Sequence, residues 1–425
     1  MYQVENATSV VKGQHALLRG RAGGAVRVSR TVLLLGIVSL LTDISAEMVA
    51  TIMPLYLLYT VGLSPLQYGL VDGVYQAGAA LVRIAAGFVG DRWHRHKEVA
   101  GVGYGISAFC KLGLIAVGSA WTGLLGVILV DRVGKGIRTA PRDALISLST
   151  PRDQLGTAFG VHRALDTTGA MLGPLLAFGL LMLTPTAFDS VFFVSFCFGL
   201  LGLAVLVLFV ENQSGDAALR PAVGAPRTVD RLRLLSDRRF VCLGLAGSLL
   251  GVATMSDGFV FLGLQRRLDF EPGVFPLLFV ATAAVYMLLA VPVGRLADRV
   301  GRTRVFVLGY MLLLPVYLCL LLAGIGIGGV VLCTVLLGAF YAATDGVLAA
   351  MASAILPPEV RGTGLATLVT ATSVGRLLAS VLFGALWTAF GYETAVAAFV
   401  VVLIVALAAA TPVLIYMRRQ GRYAY

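Results

Sequence analysis

The sequence predicts an all-α polytopic membrane protein, with twelve transmembrane helices in two pseudo-symmetric six-helix bundles. Three observations predict it. The 425 residues are 58% hydrophobic and only 13% charged, with a mean hydropathy of +0.89. Apolar runs long enough to cross a hydrocarbon core of about 30 Å recur along the chain. A polar linker divides those runs six and six, and short motifs repeat on either side of it. The runs are continuous and do not alternate at every second residue. That excludes a β-barrel and leaves helices, whose backbone groups satisfy one another in lipid.

Taken in order, residues 1–30 are polar, Gly-rich and basic (Lys12, Arg19, Arg21, Arg27, Arg30), a cytoplasmic tail by expectation. The first apolar run, from Thr31 to about Tyr59, is a span, because it has neither the short core nor the cleavage site of a signal peptide. The expected spans are 31–59, 66–90, 98–118, 121–146, 155–183, 189–211, 239–265, 274–297, 304–324, 327–355, 362–389 and 393–416. The fourth is continuously apolar only from Trp121 to Val130. A charged stretch, Asp131 to Asp143, follows, and Ala144-Leu-Ile-Ser-Leu resumes the apolar character. Residues 31–211 form the first bundle, 212–238 a cytoplasmic linker, 239–416 the second bundle and 417–425 a short tail.

Loop charge sets the orientation. Arg92, Arg95, Lys97, Arg142, Arg152, the six arginines from Arg220 to Arg239, Arg299, Arg302, Arg304, Arg361, Arg418, Arg419 and Arg422 all fall on one side of a twelve-span layout. The other side holds Arg266 and Arg267. The positive-inside bias then places both termini in the cytoplasm, with the chain in the inner membrane. This loop distribution also accounts for the net charge of +11 without a nucleic-acid partner, since no basic face with interleaved aromatics exists. The five cysteines sit in apolar runs at spacings that suit neither a disulfide framework nor a metal site.

The halves repeat. Gly87, Asp91, Arg92 and Arg95 are matched by Gly294, Asp298, Arg299 and Arg302. Pro151, Gly156, Thr157 and Gly169 are matched, at nearly the same offset, by Pro357, Gly362, Thr363 and Gly375. Parallel repeats of this kind build carriers whose site lies between the halves near the midplane.

At these residues the chain resembles the major facilitator superfamily. That family carries Gly-x-x-x-Asp-Arg/Lys-x-Gly-Arg/Lys-Arg/Lys after span two. Gly294, Asp298, Arg299, Gly301 and Arg302 follow it closely, whereas the first copy has His94 and His96 at the second glycine and last base. The family's fifth-span antiporter pattern is present in part as Gly160, Gly169, Gly173 and Pro174, with Ala177 and Phe178 where a glycine pair closes it. The chain is also similar to a branch sharing Thr-Asp-x-Ser-x-Glu-Met (Thr42 to Met48) and Gly-Lys-Gly-Ile-Arg (Gly134 to Arg138). The resemblance implies two bundles rocking about a central cavity by alternating access. It also implies proton-coupled export, and a gating role for Asp91, Arg92, Asp298 and Arg299. Gly169, Gly173 and Pro174 of the fifth span are gating candidates as well, by permitting close helix approach.

The residues themselves supply candidates for the chemistry. Asp131, Lys135, Arg138 and Arg142 lie on one stripe of span four at helical spacing. Asp43 and Glu47 are one turn apart in span one, Asp72, Gln76 and Arg83 share a face of span two, and His162 and Asp166 are a turn apart in span five beside Arg163. Ionisable groups at membrane depth usually face a bundle interior or a watered cavity. Asp43, Glu47, Asp131 and Asp166 are therefore the proton-coupling candidates, with Asp43 and Glu47 expected to share a proton. Gln76, Arg83, Lys135, Arg138, His162, Arg163, Asp257, Asp345 and Arg376 are candidates for the cavity, and Asp345 and Arg376 are an expected pair. The alternative for each charge is a fixed ion network that braces the helices.

The expected function is a secondary transporter, proton-coupled and exporting a small organic molecule, acting as a monomer in the bilayer without a cofactor. Uptake of an anionic metabolite would use Lys135, Arg138 and Arg163. Carriage of a metal or its chelate would use Asp43, Glu47, His162 and Asp166. An enzyme is disfavoured. Gly134-Lys135 matches the end of a phosphate loop, but Leu129 stands where that loop needs glycine, and neither His-Glu-x-x-His nor Gly-x-Ser-x-Gly occurs.

Overall fold

A computed structural model describes residues 29–93, 95–151, 154–184, 186–211, 237–322, 326–356 and 361–422, without the side chains of 80, 81, 83–93, 361, 362 and 418–422. The expected tails and linker at 1–28, 212–236 and 423–425 lie outside the described residues. Everything regular among those described is helix.

Twelve helical spans follow in order: α1 (Arg30–Thr60), α2 (Pro65–Trp93), α3 (His96–Val117), α4 (Trp121–Leu148), α5 (Leu155–Leu183), α6 (Phe188–Phe209), α7 (Arg238–Leu268), α8 (Pro272–Val300), α9 (Arg302–Leu321), α10 (Ile327–Ile355), α11 (Arg361–Phe390) and α12 (Tyr392–Arg422). Ten of these are apolar enough to qualify as membrane spans by length and composition. The other two are α2 and α4, and α4 carries the charged stretch. Large apolar side chains such as Leu183, Leu208 and Leu288 project outward from the bundle, as lipid contact requires.

Irregularities occur where the sequence breaks the backbone ladder. Pro54 lacks an N–H, and α1 continues beyond it as a π-helical turn, Tyr56–Thr60. Helix α7 is interrupted between Val252 and Asp257, and Tyr317 of α9 repairs the gap. Its hydroxyl accepts from the Met255 N–H at 2.7 Å and donates to the Ala253 carbonyl at 3.1 Å. Gly301 turns the chain between α8 and α9 at φ +112°, a conformation that other residues rarely adopt.

Packing follows the same plan in both halves. Helix α1 packs on α5 and α6, α4 on α2 and α3, and α3 on α6. The second half repeats this with α7 on α11 and α12, α10 on α8 and α9, and α9 on α12. The repeat is written in small residues. A Cβ at Gly169 would collide with the Leu40 carbonyl of α1, and one at Gly173 would stand 2.8 Å from the Ile44 carbonyl. In the second half, a Cβ at Gly375 would stand 2.5 Å from the Ser248 carbonyl of α7. Close backbone approach through small residues is how helices associate in lipid.

The halves meet chiefly through α2 against α11 and α5 against α8. The Leu66 N–H donates to Thr388 Oγ1 at 3.0 Å, and Ser380 Oγ donates to Asp72 Oδ2 at 2.5 Å. Gly69 and Gly73 lie against Ser380 and Leu377, Gly384 against Pro65, and Gly273 against Met182. Tyr68 stacks edge-on against Phe259, 4.8 Å between centroids. These contacts lie in the half of the membrane opposite the chain termini, here the far side. Arg266 and Arg267, the far-side arginines, are held there as well. Arg267 pairs with Glu393 at 3.1 Å, and Arg266 lies over the Tyr392 ring.

Substituting Gly169 by Val should force α1 and α5 apart and lower stability by about 1–3 kcal/mol. Gly179→Ala, on the same helix with open space around it, should leave the thermal unfolding midpoint of the purified protein unchanged.

Candidate functional site

Two glycines fix how α4 presents its charges. A Cβ at Gly134 would meet the Gly103 carbonyl and Ser107 of α3, and one at Gly136 would meet Val82 and the Ala79 carbonyl of α2. With both flanks pressed against neighbours, Lys135 between them is turned toward α1. There it faces Asp43 and Glu47. Among the described residues it forms no ion pair within 4 Å.

Asp131 faces away from this group. Its carboxylate lies 2.7 Å from Lys111 Nζ of α3 and also contacts the Arg132 guanidinium. All three side chains are buried, and Arg132 lies 3.9 Å from the centroid of the Tyr75 ring. The expected meeting of Asp131 with the other polar stripes does not occur. It belongs to a closed triad inside the first half. Lys111 was missed in the sequence reading, although a lone lysine midway along an apolar span is itself a signal.

The group that does converge joins α1, α4 and α5. Arg138 lies 3.7 Å from Asp43 and over the Tyr104 ring at 4.7 Å. The Asp43 and Asp166 carboxyls are within hydrogen-bonding reach of each other. Two bare carboxylates at that range repel, and Arg138, Arg142 and Arg163 around them offset that repulsion. Asp166 is also 3.2 Å from Arg163 and 3.8 Å from Arg142, and Arg142 is 2.9 Å from Asp143. The side chains of Asp43 and Asp166 are 16% and 18% exposed and that of Arg163 24%, so this cluster is not sealed within the helices.

Three placements differ from expectation. The carboxyl partner of Asp43 is Asp166, and Glu47 stands apart from it, buried with Oε2 unpartnered beside Gly173. His162 is buried, 2.9 Å from Ser39 Oγ, which also accepts from Arg142 at 3.3 Å. The proposed metal ligands therefore do not gather, and no three-residue group of metal-binding type occurs among the described residues. Gln76 is half-buried on α2. The side chain of Arg83 lies outside the described residues, as do those of Asp91 and Arg92.

In the second half, Arg376 pairs with Asp345 at 3.3 Å, and the Tyr341 hydroxyl donates to Asp257 at 2.7 Å. In the loop motif, Arg302 holds Asp298 at 2.9 Å and donates to the Ala350 carbonyl of α10 at 3.0 Å, while Arg299 is exposed. Arg302 is the residue that ties α8, α9 and α10 together at this end. Pro174 is buried within α5, next to Gly173.

The family signature of the Major Facilitator Superfamily matches residues 35–275 and 253–423. The chain belongs to the major facilitator superfamily. An uncharacterized MFS-type transporter of Methanocaldococcus jannaschii is 31% identical over 366 residues, covering 85% of this chain and 89% of that protein. Among solved structures, the nucleoside transporter NupG aligns with a TM-score of 0.77 at 15% identity, over 90% of this chain and all of the other. A POT family transporter in complex with 5-aminolevulinic acid aligns at 0.76 and 13% identity, over 93% and 98%. Superfamily members are secondary transporters and not enzymes. This member is a multi-pass membrane protein with the same fold.

Asp131→Asn would leave Lys111 and Arg132 buried side by side without a counter-charge, at a cost of about 3–5 kcal/mol. Lys111→Met should cost less, because Arg132 still holds Asp131. Thermal unfolding of the purified variants checks the ranking.

Proposed function

We propose that this transporter works by alternating access as a proton-coupled exporter of a small organic molecule. The Asp43–Asp166 pair carries the reading. It is a part-exposed contact between two carboxyls, set among Arg138, Arg142 and Arg163. A carboxyl pair balanced between desolvation and nearby cations changes its proton occupancy when the surrounding cavity changes. The packed far side and the part-exposed charges nearer the termini support a cavity open on the terminal side. Loop charge supports the cytoplasm as that side. A molecule entering there meets Lys135, Gln76 and Arg163 from the first half and Asp345 and Arg376 from the second. Its arrival would displace a proton held by the pair. The partial antiporter pattern from Gly160 to Pro174 favours export, with Asp298, Arg302 and, by resemblance, Asp91 and Arg92 latching the opposite state.

One observation favours a second reading. Lys135 lacks a close ion-pair partner among the described residues and would suit the carboxylate or phosphate of an anionic metabolite carried inward.

A thermal-shift screen of metabolites, drugs and metals on the purified protein supplies the substrate, and liposomes with an imposed pH gradient then test the coupling. Asp43→Asn and Asp166→Asn should remain folded, bind the hit and lose proton-coupled flux. If both carry it at the wild-type rate with unchanged dependence on the gradient, the pair is not the coupling site. Flux only toward the proton-rich compartment supports export. Co-movement of anion and proton supports the second reading.

A further inference from the structure

A second carboxyl group stands where the two halves meet. Asp72 lies on α2, one helical turn from Tyr68 and from Gln76, and is half-buried at the α2–α11 seam. Its Oδ2 accepts from Ser380 Oγ of the other half at 2.5 Å. Beside it, on α7, lies Asp257, buried and held by Tyr341. Ser256, next to Asp257, has a buried hydroxyl that faces Asp72 and Tyr68 without completing a close hydrogen bond to either.

No cation among the described residues lies close against these two acids, and Arg376 acts on Asp257 only from beyond ion-pair distance. Among the described residues neither carboxylate has an ion-pair partner within 4 Å. On α11, Arg376 is engaged by Asp345 of α10. On α4, Arg132 is engaged by Asp131, and Lys135 faces Asp43 and Glu47. The remaining titratable neighbours, Tyr68 and Tyr75 on α2 and Tyr341 on α10, bring no positive charge. Closing the seam therefore brings two acids together with hydroxyl groups as their close polar partners among the described residues. A proton on Asp72 removes the repulsion, and the neutral carboxyl can both accept from and donate to the hydroxyls that face it. When α2 and α11 part, water reaches the carboxyl and the ionised form is no longer penalised.

We propose that Asp72 is a second proton-binding site, distinct from Asp43–Asp166, which is occupied when the far-side seam is closed and vacated when it opens. This rests on the alternating-access part of the functional reading and not on its substrate or direction. The closed state binds more protons than the open one, so by linkage acid favours closure and alkali favours opening.

Nitroxide labels at Ala120→Cys and Ile327→Cys, at the exposed far-side starts of α4 and α10, report the seam. They are placed in the full chain with its five native cysteines replaced by serine. Electron–electron distances are measured in lipid from acidic to alkaline buffer. The expected result is a short distance in acid that shifts to a longer one in alkali. Asp72→Asn, a fixed neutral mimic, should hold the short distance throughout. Asp43→Asn should keep the shift, which separates this site from the other pair. The proposal is overturned if Asp72→Asn shifts as the parent does, or if the parent does not respond to pH. Loss of transport in Asp43→Asn with the shift intact leaves both sites standing. An unimpaired Asp43→Asn transporter with the shift intact removes only the first.

Discussion

A guanidinium, ammonium or carboxylate taken out of water costs several kcal/mol unless an opposite charge and hydrogen bonds receive it. The arrangement of the first six helices depends on that constraint. Asp131 is closed off between Lys111 and Arg132, and Arg142 is shared among Asp143, Asp166 and Ser39. Both triad cations lie against Asp131, so the triad braces α3 and α4. Lys135 has no ion pair within 4 Å among the described residues, and the Asp43–Asp166 pair is part-exposed, so these charges are less enclosed than the triad.

Glycine decides which charge falls into which class. Because α4 is pinched at Gly134 by α3 and at Gly136 by α2, its rotation about its own axis is set by backbone contact. Asp131 and Lys135 are one turn apart and would share a stripe on an isolated helix. The lateral packing gives α3 to the first and α1 to the second. Substitution at either glycine would change the direction of every charge that α4 carries.

The duplication is structural before it is chemical. Gly169 on Leu40 and Gly375 on Ser248 perform the same close approach in the two halves, and the helix pairings repeat throughout. The ionisable groups within the spans do not repeat. Besides Arg267–Glu393 and Arg302–Asp298 near its two ends, the second half has the deep pair Asp345–Arg376 and an acid held by tyrosine, amid a continuous aromatic core around Phe259, Phe383 and Trp387. Acids thus occupy two depths with different surroundings. One pair lies within a half and is ringed by arginine. The other spans the seam with hydroxyl groups as its close polar partners among the described residues.

Hydropathy, loop charge and repeated motifs determined the fold, because lipid accepts few alternatives to a helix of about twenty residues. The expected span 121–146 is a single helix, Trp121–Leu148, although its charges leave it outside the ten that qualify as spans by length and composition. Depth in the membrane also anticipated Asp345 with Arg376, two opposite charges well inside neighbouring spans. Spacing along single helices does not determine which faces of different helices meet. It therefore placed Asp131 in the cavity, paired Asp43 with Glu47 and passed over Lys111, Ser39 and Tyr104. Those partners are chosen by the rotation and depth of each helix, which depend on glycine contacts with neighbours far away in the chain. The seam acid Asp72 lies one step further still, since its partner Ser380 belongs to the other half. Only the docking of the halves brings those two residues together.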